Sequence, residues 1–123
     1  MGAMLKSSGF DTSSALTMSK TITQLTADMA SFYNLGTEEA FEKIRSGISG
    51  EVEPLRQLGI NMSVANLEAY ALSQGINKAY SKMSQSEQTL LRYNYLLSVT
   101  GDAQGDLART SGKLIATSYR NVA

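Results

Sequence analysis

Carboxylates crowd one stretch of the chain: Glu38, Glu39, Glu42, Glu51 and Glu53. Paired carboxylates flanking a cleft can cleave glycosidic bonds. Several carboxylate oxygens converging on a point can hold a hard cation. Here the positions have a simpler account. Glu38, Glu39 and Glu42 fall at a helix start, where negative side chains complement the helix dipole. Lys43, Arg45 and Arg56 stand nearby as counter-charges. The cluster is therefore expected to be a solvated face, with no catalytic residue, no metal ligand and no cofactor site.

A second grouping, Arg92, Tyr93 and Tyr95, mixes cation and aromatic rings, a combination that stacks nucleobases. On a helix, tyrosines more often pack with the hydroxyl at the rim. Gly101, Gly105 and Gly112 form a loose glycine-rich stretch, but their spacing matches neither the dinucleotide fingerprint nor the phosphate loop. They read as turn punctuation. The chain has no His and no Cys. Imidazole bases, thiol nucleophiles and His/Cys zinc sites are excluded on that ground. Lys plus Arg and Asp plus Glu both number 11 across 123 residues. A net charge of zero supplies no footprint for specific nucleic-acid binding or for an anionic membrane. It also removes the repulsion that would oppose self-association.

The hydrophobic fraction of 42% and charged fraction of 18% suit a folded or assembly-forming chain. The length suits one domain. No apolar run reaches the roughly 18 residues of a membrane span. Lys6 is followed by Ser7, Ser8 and Gly9 rather than by the apolar region of a signal peptide. Residues 1–12 are expected to be a leader outside the fold, disordered or left over from cloning. Residues 13–123 are expected to form a single helical domain.

The elements that must position these groups are short and cut by glycines. Ser13 to Leu35 reads as a helix, capped by Asp11 or Ser13 and closed at Gly36. Thr37 opens a second, with Phe41, Ile44 and Ile48 inward and Gly47 and Gly50 as stops. Glu53-Pro54 opens a third, because proline tolerates the first helical turn; Leu55 and Leu58 face inward and Gly59 ends it. Ser63 or Asn61 caps a fourth carrying Leu67, Tyr70, Ala71 and Leu72, closed by Gly75. Ser84-Gln85-Ser86-Glu87 is a capping box, the clearest helix start in the chain. Lys113 to Val122, with Leu114, Ile115 and Tyr119, reads as a last helix. The pattern predicts a mainly α fold of about six short-to-medium helices in an irregular bundle. Alternation also allows one minor ribbon pairing Ile60–Met62 with part of Ala79–Lys82, though an isolated pair is marginal unless it packs on helices.

In the first helix Met18, Ile22, Leu25, Met29 and Phe32 follow one another at spacings of four and three. That makes a narrow apolar stripe, closer to a pairing seam than to a broad core face. These residues are the candidate surface for self-association into a dimer or larger oligomer. The alternative is that the stripe folds back on the helices that follow. The 6 Met residues are adaptable packing material and fit a core better than an interface.

Several pieces, in order, resemble the tape measure (minor tail) proteins of long-tailed bacteriophages and prophages. They are Leu25 to Asn34 (LTADMASFYN), Glu39-Ala40-Phe41, Glu53-Pro54-Leu55 with Leu58-Gly59-Ile60, and Asn66 to Leu72 (NLEAYAL). Leu91-Arg92-Tyr93, Asp102 to Asp106 (DAQGD) and Ala108 to Ser111 (ARTS) complete the set. Each piece alone is weak; their order and spacing carry the resemblance. It implies that the chain is a fragment of a much longer molecule. In that family the parent lies in the tail tube, sets tail length, supports tube polymerisation and leaves the tail at infection. The expected partners are thus tail-tube and tail-assembly proteins, and the expected location is the virion tail. Some members carry lytic domains elsewhere. Leu107 stands where members commonly have Phe, and relatives continue into long helices after Gly112, whereas this chain stops at Ala123. The family transfers no catalytic residue to these positions, and the chain is expected not to be an enzyme.

Two other classes compete. A helical secreted or export-associated bacterial module would also be neutral and free of Cys, but such modules rest on a Trp-Gly turn and this chain has no Trp. A peptidoglycan hydrolase would need a Glu paired with a second polar group in a groove, and the sequence offers no such pair.

Overall fold

A computed structural model of the chain describes residues 5–6 and 9–108. The fold is mainly α, with no strand among the described residues. The helices are α1 (Thr12–Tyr33), α2 (Thr37–Ser49), α3 (Glu53–Arg56), α4 (Val64–Ser73) and α5 (Gln85–Val99), with a 3-10 turn at Tyr80–Lys82.

α1 starts where the Asp11 carboxylate accepts the Ser14 N–H at 2.6 Å. It ends at Asn34, whose φ of 56° and ψ of 51° are left-handed. Gly36 was the expected stop. It sits instead in extended conformation as the N-cap of α2. Asn is one of the few non-glycine residues that tolerates the left-handed region, because its short polar side chain bonds locally. The helix therefore closes two residues early. α2 ends at Gly50, with φ of 107°.

α2 lies against α1, α3 and α5, and α5 also carries α4. Ile22 and Met29 of α1, Ile44 and Ile48 of α2, Leu55, Leu67, Ala71 and Leu96 form the centre of one core, each nearly or fully removed from solvent. Burying each large aliphatic side chain contributes about 1.5–3 kcal/mol. Gly47 does not stop α2 as expected; it lies inside the helix, where α2 meets α3. A Cβ there would overlap Leu55 Cδ1 and lie 3.2 Å from Met62 Sδ. The missing side chain is what lets the short α3 close on α2.

Further expectations are corrected. Leu5 is fully buried and Phe10 packs on the core, so residues 5–6 and 9–12 belong to the fold rather than to a leader. Leu72 is 61% exposed, on the outer side of α4. The ribbon does not form, because its backbone groups are taken. The Asn61 carbonyl accepts the Tyr95 hydroxyl at 2.6 Å. The Tyr80 N–H donates to Glu68 at 2.7 Å, and the Tyr80 carbonyl accepts from Gln88 at 2.8 Å. Tyr80–Lys82 coils as a 3-10 turn instead. The last helix expected at Lys113–Val122 lies outside the described residues.

Candidate functional site

The acidic cluster does not converge. Glu38, Glu39, Glu42, Glu51 and Glu53 are all exposed. Glu42 pairs with Arg45 at 2.8 Å and Glu53 with Arg56 at 3.1 Å, each within one helical turn. The Arg45 hydrogen bond and charge hold the Glu42 carboxyl below its ordinary range. Among the described residues no three acidic groups come together in a way that could hold a metal ion. This face is solvated and locally paired.

Arg92, Tyr93 and Tyr95 are buried, so none offers a ring or guanidinium to a base. Arg92 is a pin. Its Nε donates to the Ile48 carbonyl at 2.7 Å, at the C-terminal end of α2. Its Nη2 donates to Thr89 Oγ1 at 3.2 Å, and Nη1 to the Tyr80 hydroxyl. A cation at a helix C-terminus also meets the negative end of the dipole. Tyr95 packs edge-to-face on Tyr70, with ring centroids 5.8 Å apart, while its hydroxyl ties down the Asn61 carbonyl.

The α1 stripe is likewise internal. Met18, Ile22, Leu25 and Met29 are no more than 6% exposed and lie in the common core. Of the candidate seam only Phe32, at 44%, faces outward. The self-association surface expected there is corrected: these four side chains are taken up in the chain's own core, with α2 packed against α1.

One open apolar surface lies between α4 and α5. A recess of about 190 Å³ is lined by the apolar Tyr70, Ile76, Met83, Leu90 and Leu91 and the polar Gln74, Glu87 and Asn94. Ile76 and Leu90 are 45% and 41% exposed. Ligand pockets usually reach about 300 Å³ or more. This one admits a side chain or two. A wider recess of about 560 Å³, between the start of α1 and α5, is lined by Phe10, Ser14, Thr17, Met18, Leu90 and Tyr93. The Thr17 hydroxyl in it is bonded back to the Ser13 carbonyl, as is usual inside a helix. Neither recess presents a base beside a nucleophile.

One group escaped sequence reasoning. Asp28 is 2% exposed, on α1. Its carboxylate accepts the Gly105 N–H at 2.8 Å and the Leu107 N–H at 3.3 Å. It caps, from another helix, the first turn of the helical residues 106–108. Capping over 77 residues leaves no local pattern; the only hint was an acid beside Met29 on an otherwise apolar stretch.

No protein-family model, curated protein or solved structure matches the chain.

Proposed function

We propose that the chain is a structural segment of a phage or prophage tail tape measure protein. On this reading it belongs to a molecule that sets tail length and supports tail-tube assembly, works beside tail proteins in the virion, and carries no catalysis in this segment. The observation that supports it is the ordered set of resembling pieces from Leu25 to Ser111. The fold adds a physical reason for such pieces to occur together. Asp28 in the first piece holds Gly105 in the sixth, and Ser31 in the first bonds Asp106 in the sixth at 2.7 Å. A set of distant residues bound to one another is a unit that sequence would carry as a whole. The reading also accords with side chains committed to packing and caps rather than gathered around a cavity.

Mass spectrometry of purified, tail-bearing particles from the encoding phage or lysogen tests it. Peptides of this chain should appear in the purified tails. Their recovery only from the cell or the secreted fraction would overturn the proposal.

A further inference from the structure

We infer that the Lys78–Ala79 peptide bond is a proteolytic processing site, cut by a protease whose specificity pocket takes lysine onto a carboxylate, and that Glu87 guards it. The site does not depend on the tail reading. Leu72 to Ala79 is an unbroken run of exposed residues between α4 and α5. The run turns at Gly75, with φ of 85°, and residues 76–79 have no regular secondary structure. The backbone N–H groups of Asn77, Lys78 and Ala79 have no hydrogen-bond partner among the described residues. A protease binds its substrate extended, and exposed loop tips with small and polar residues are where chains are nicked. Lys20 and Lys43 lie inside helices, and Lys82 belongs to the 3-10 turn. Cutting after any of these requires local unfolding first. At Lys78 the peptide C–N bond breaks; water gives its hydroxyl to the Lys78 carbonyl carbon and a proton to the Ala79 nitrogen.

The guard is the side chain that the protease must take. Lys78 Nζ donates to both Glu87 oxygens, at 3.1 and 3.0 Å. A lysine-directed protease binds the same ammonium in its own acidic pocket, so Lys78 must leave Glu87 before it is cut. The two side chains are 43% and 45% exposed, which keeps the pair weak and the guard modest. The cut leaves the fold tied together across the break. Glu68 accepts the Tyr80 N–H at 2.7 Å, the Asn61 carbonyl accepts the Tyr95 hydroxyl at 2.6 Å, and the Ile48 carbonyl accepts from Arg92 at 2.7 Å. Leu55 and Leu67 before the break share one core with Leu91 and Leu96 after it. The product is one folded body of two chains.

Limited digestion of the full chain with a lysine-specific endoprotease, followed by mass spectrometry, tests the site. The fragment ending at Lys78 should appear before those ending at Lys20, Lys43 or Lys82. The nicked protein should keep the parent's helical circular dichroism and elute from size exclusion as one species. Glu87→Gln removes the charge but keeps the capping box, since Gln serves at that position. In it, cutting after Lys78 should be about two- to fivefold faster relative to cutting after Lys43, the worth of an exposed ion pair. Salt at about 1 M should raise the same ratio in the parent, because exposed pairs are screened; this arm decides the guard if Glu87→Gln does not fold. Cuts after Lys20, Lys43 or Lys82 as early as the cut after Lys78 would overturn the site. Separation of the two pieces on size exclusion would overturn the two-chain product. A ratio unchanged by both the substitution and salt would overturn the guard.

Discussion

Arg92 joins three segments through neutral partners: the Ile48 carbonyl, the Thr89 hydroxyl and the Tyr80 hydroxyl. Each of these would be left without a donor if the guanidinium were removed. Arg92→Met should therefore cost about 2–4 kcal/mol in denaturant melts, since hydrogen bonds to a charged group are worth more than neutral ones. Arg92→Lys should recover only part of it, because a single ammonium cannot span three acceptors in one plane. Equal stability of Arg92→Met and the parent would remove the pin. At Glu87, hydrogen bonds from Lys78 at 3.1 and 3.0 Å, and then from the Ser84 N–H, hold the carboxyl below its ordinary range. A lowered folded value means that the charged form is the better bound. The contribution is full above the ordinary Glu value of about 4.3 and fades as pH falls through the folded value. Acidification from about pH 7 to about pH 3 should lower the melting temperature more in the parent than in Glu87→Gln. Equal losses would show that these bonds do not persist in solution.

At the scale of elements, close approach decides what the sequence pattern cannot. Gly47 lies where α2 meets Leu55 and Met62. In an exposed helix, Gly47→Ala would gain about 1 kcal/mol from propensity. Here the added methyl pushes into Leu55, and overpacking costs about 1–3 kcal/mol. The variant should be destabilised on balance, with a lower denaturant midpoint; a raised midpoint would mean that α3 yields freely. Elements with local grammar were legible in advance. Ser84 and Glu87 make both bonds of the capping box, at 3.2 Å each. Pro54 opens α3, and Ser63 caps α4. What stayed hidden depended on partners far along the chain. Gly47 reads as a stop until Leu55 is seen against it. Ile60–Met62 reads as a strand until Tyr95 takes its backbone. Asp28 reads only as an acid beside Met29 until Gly105 returns to it.

For the whole molecule, the decisive matter was which side of α1 faces inward. The stripe has the spacing of a seam, and spacing alone does not say whether its cover comes from the same chain. Leu25 is 3% exposed in the core, so Leu25→Glu buries a carboxylate among apolar neighbours. The variant should lose several kcal/mol and much of its helical circular dichroism. Phe32→Glu, at a 44% exposed position, should leave the fold intact. A well-folded Leu25→Glu protein whose light-scattering mass is half that of the parent would restore the seam.

The central claim, that this chain belongs to a tape measure, is tested most directly by tail length. The codons for residues 9–108 would be deleted in frame in the encoding phage or prophage, and the particles measured by negative-stain electron microscopy. The account predicts tails of altered length, or capsids without tails, because a structural segment of the length-setting molecule is missing. Particles with tails of the parental length and number would contradict it.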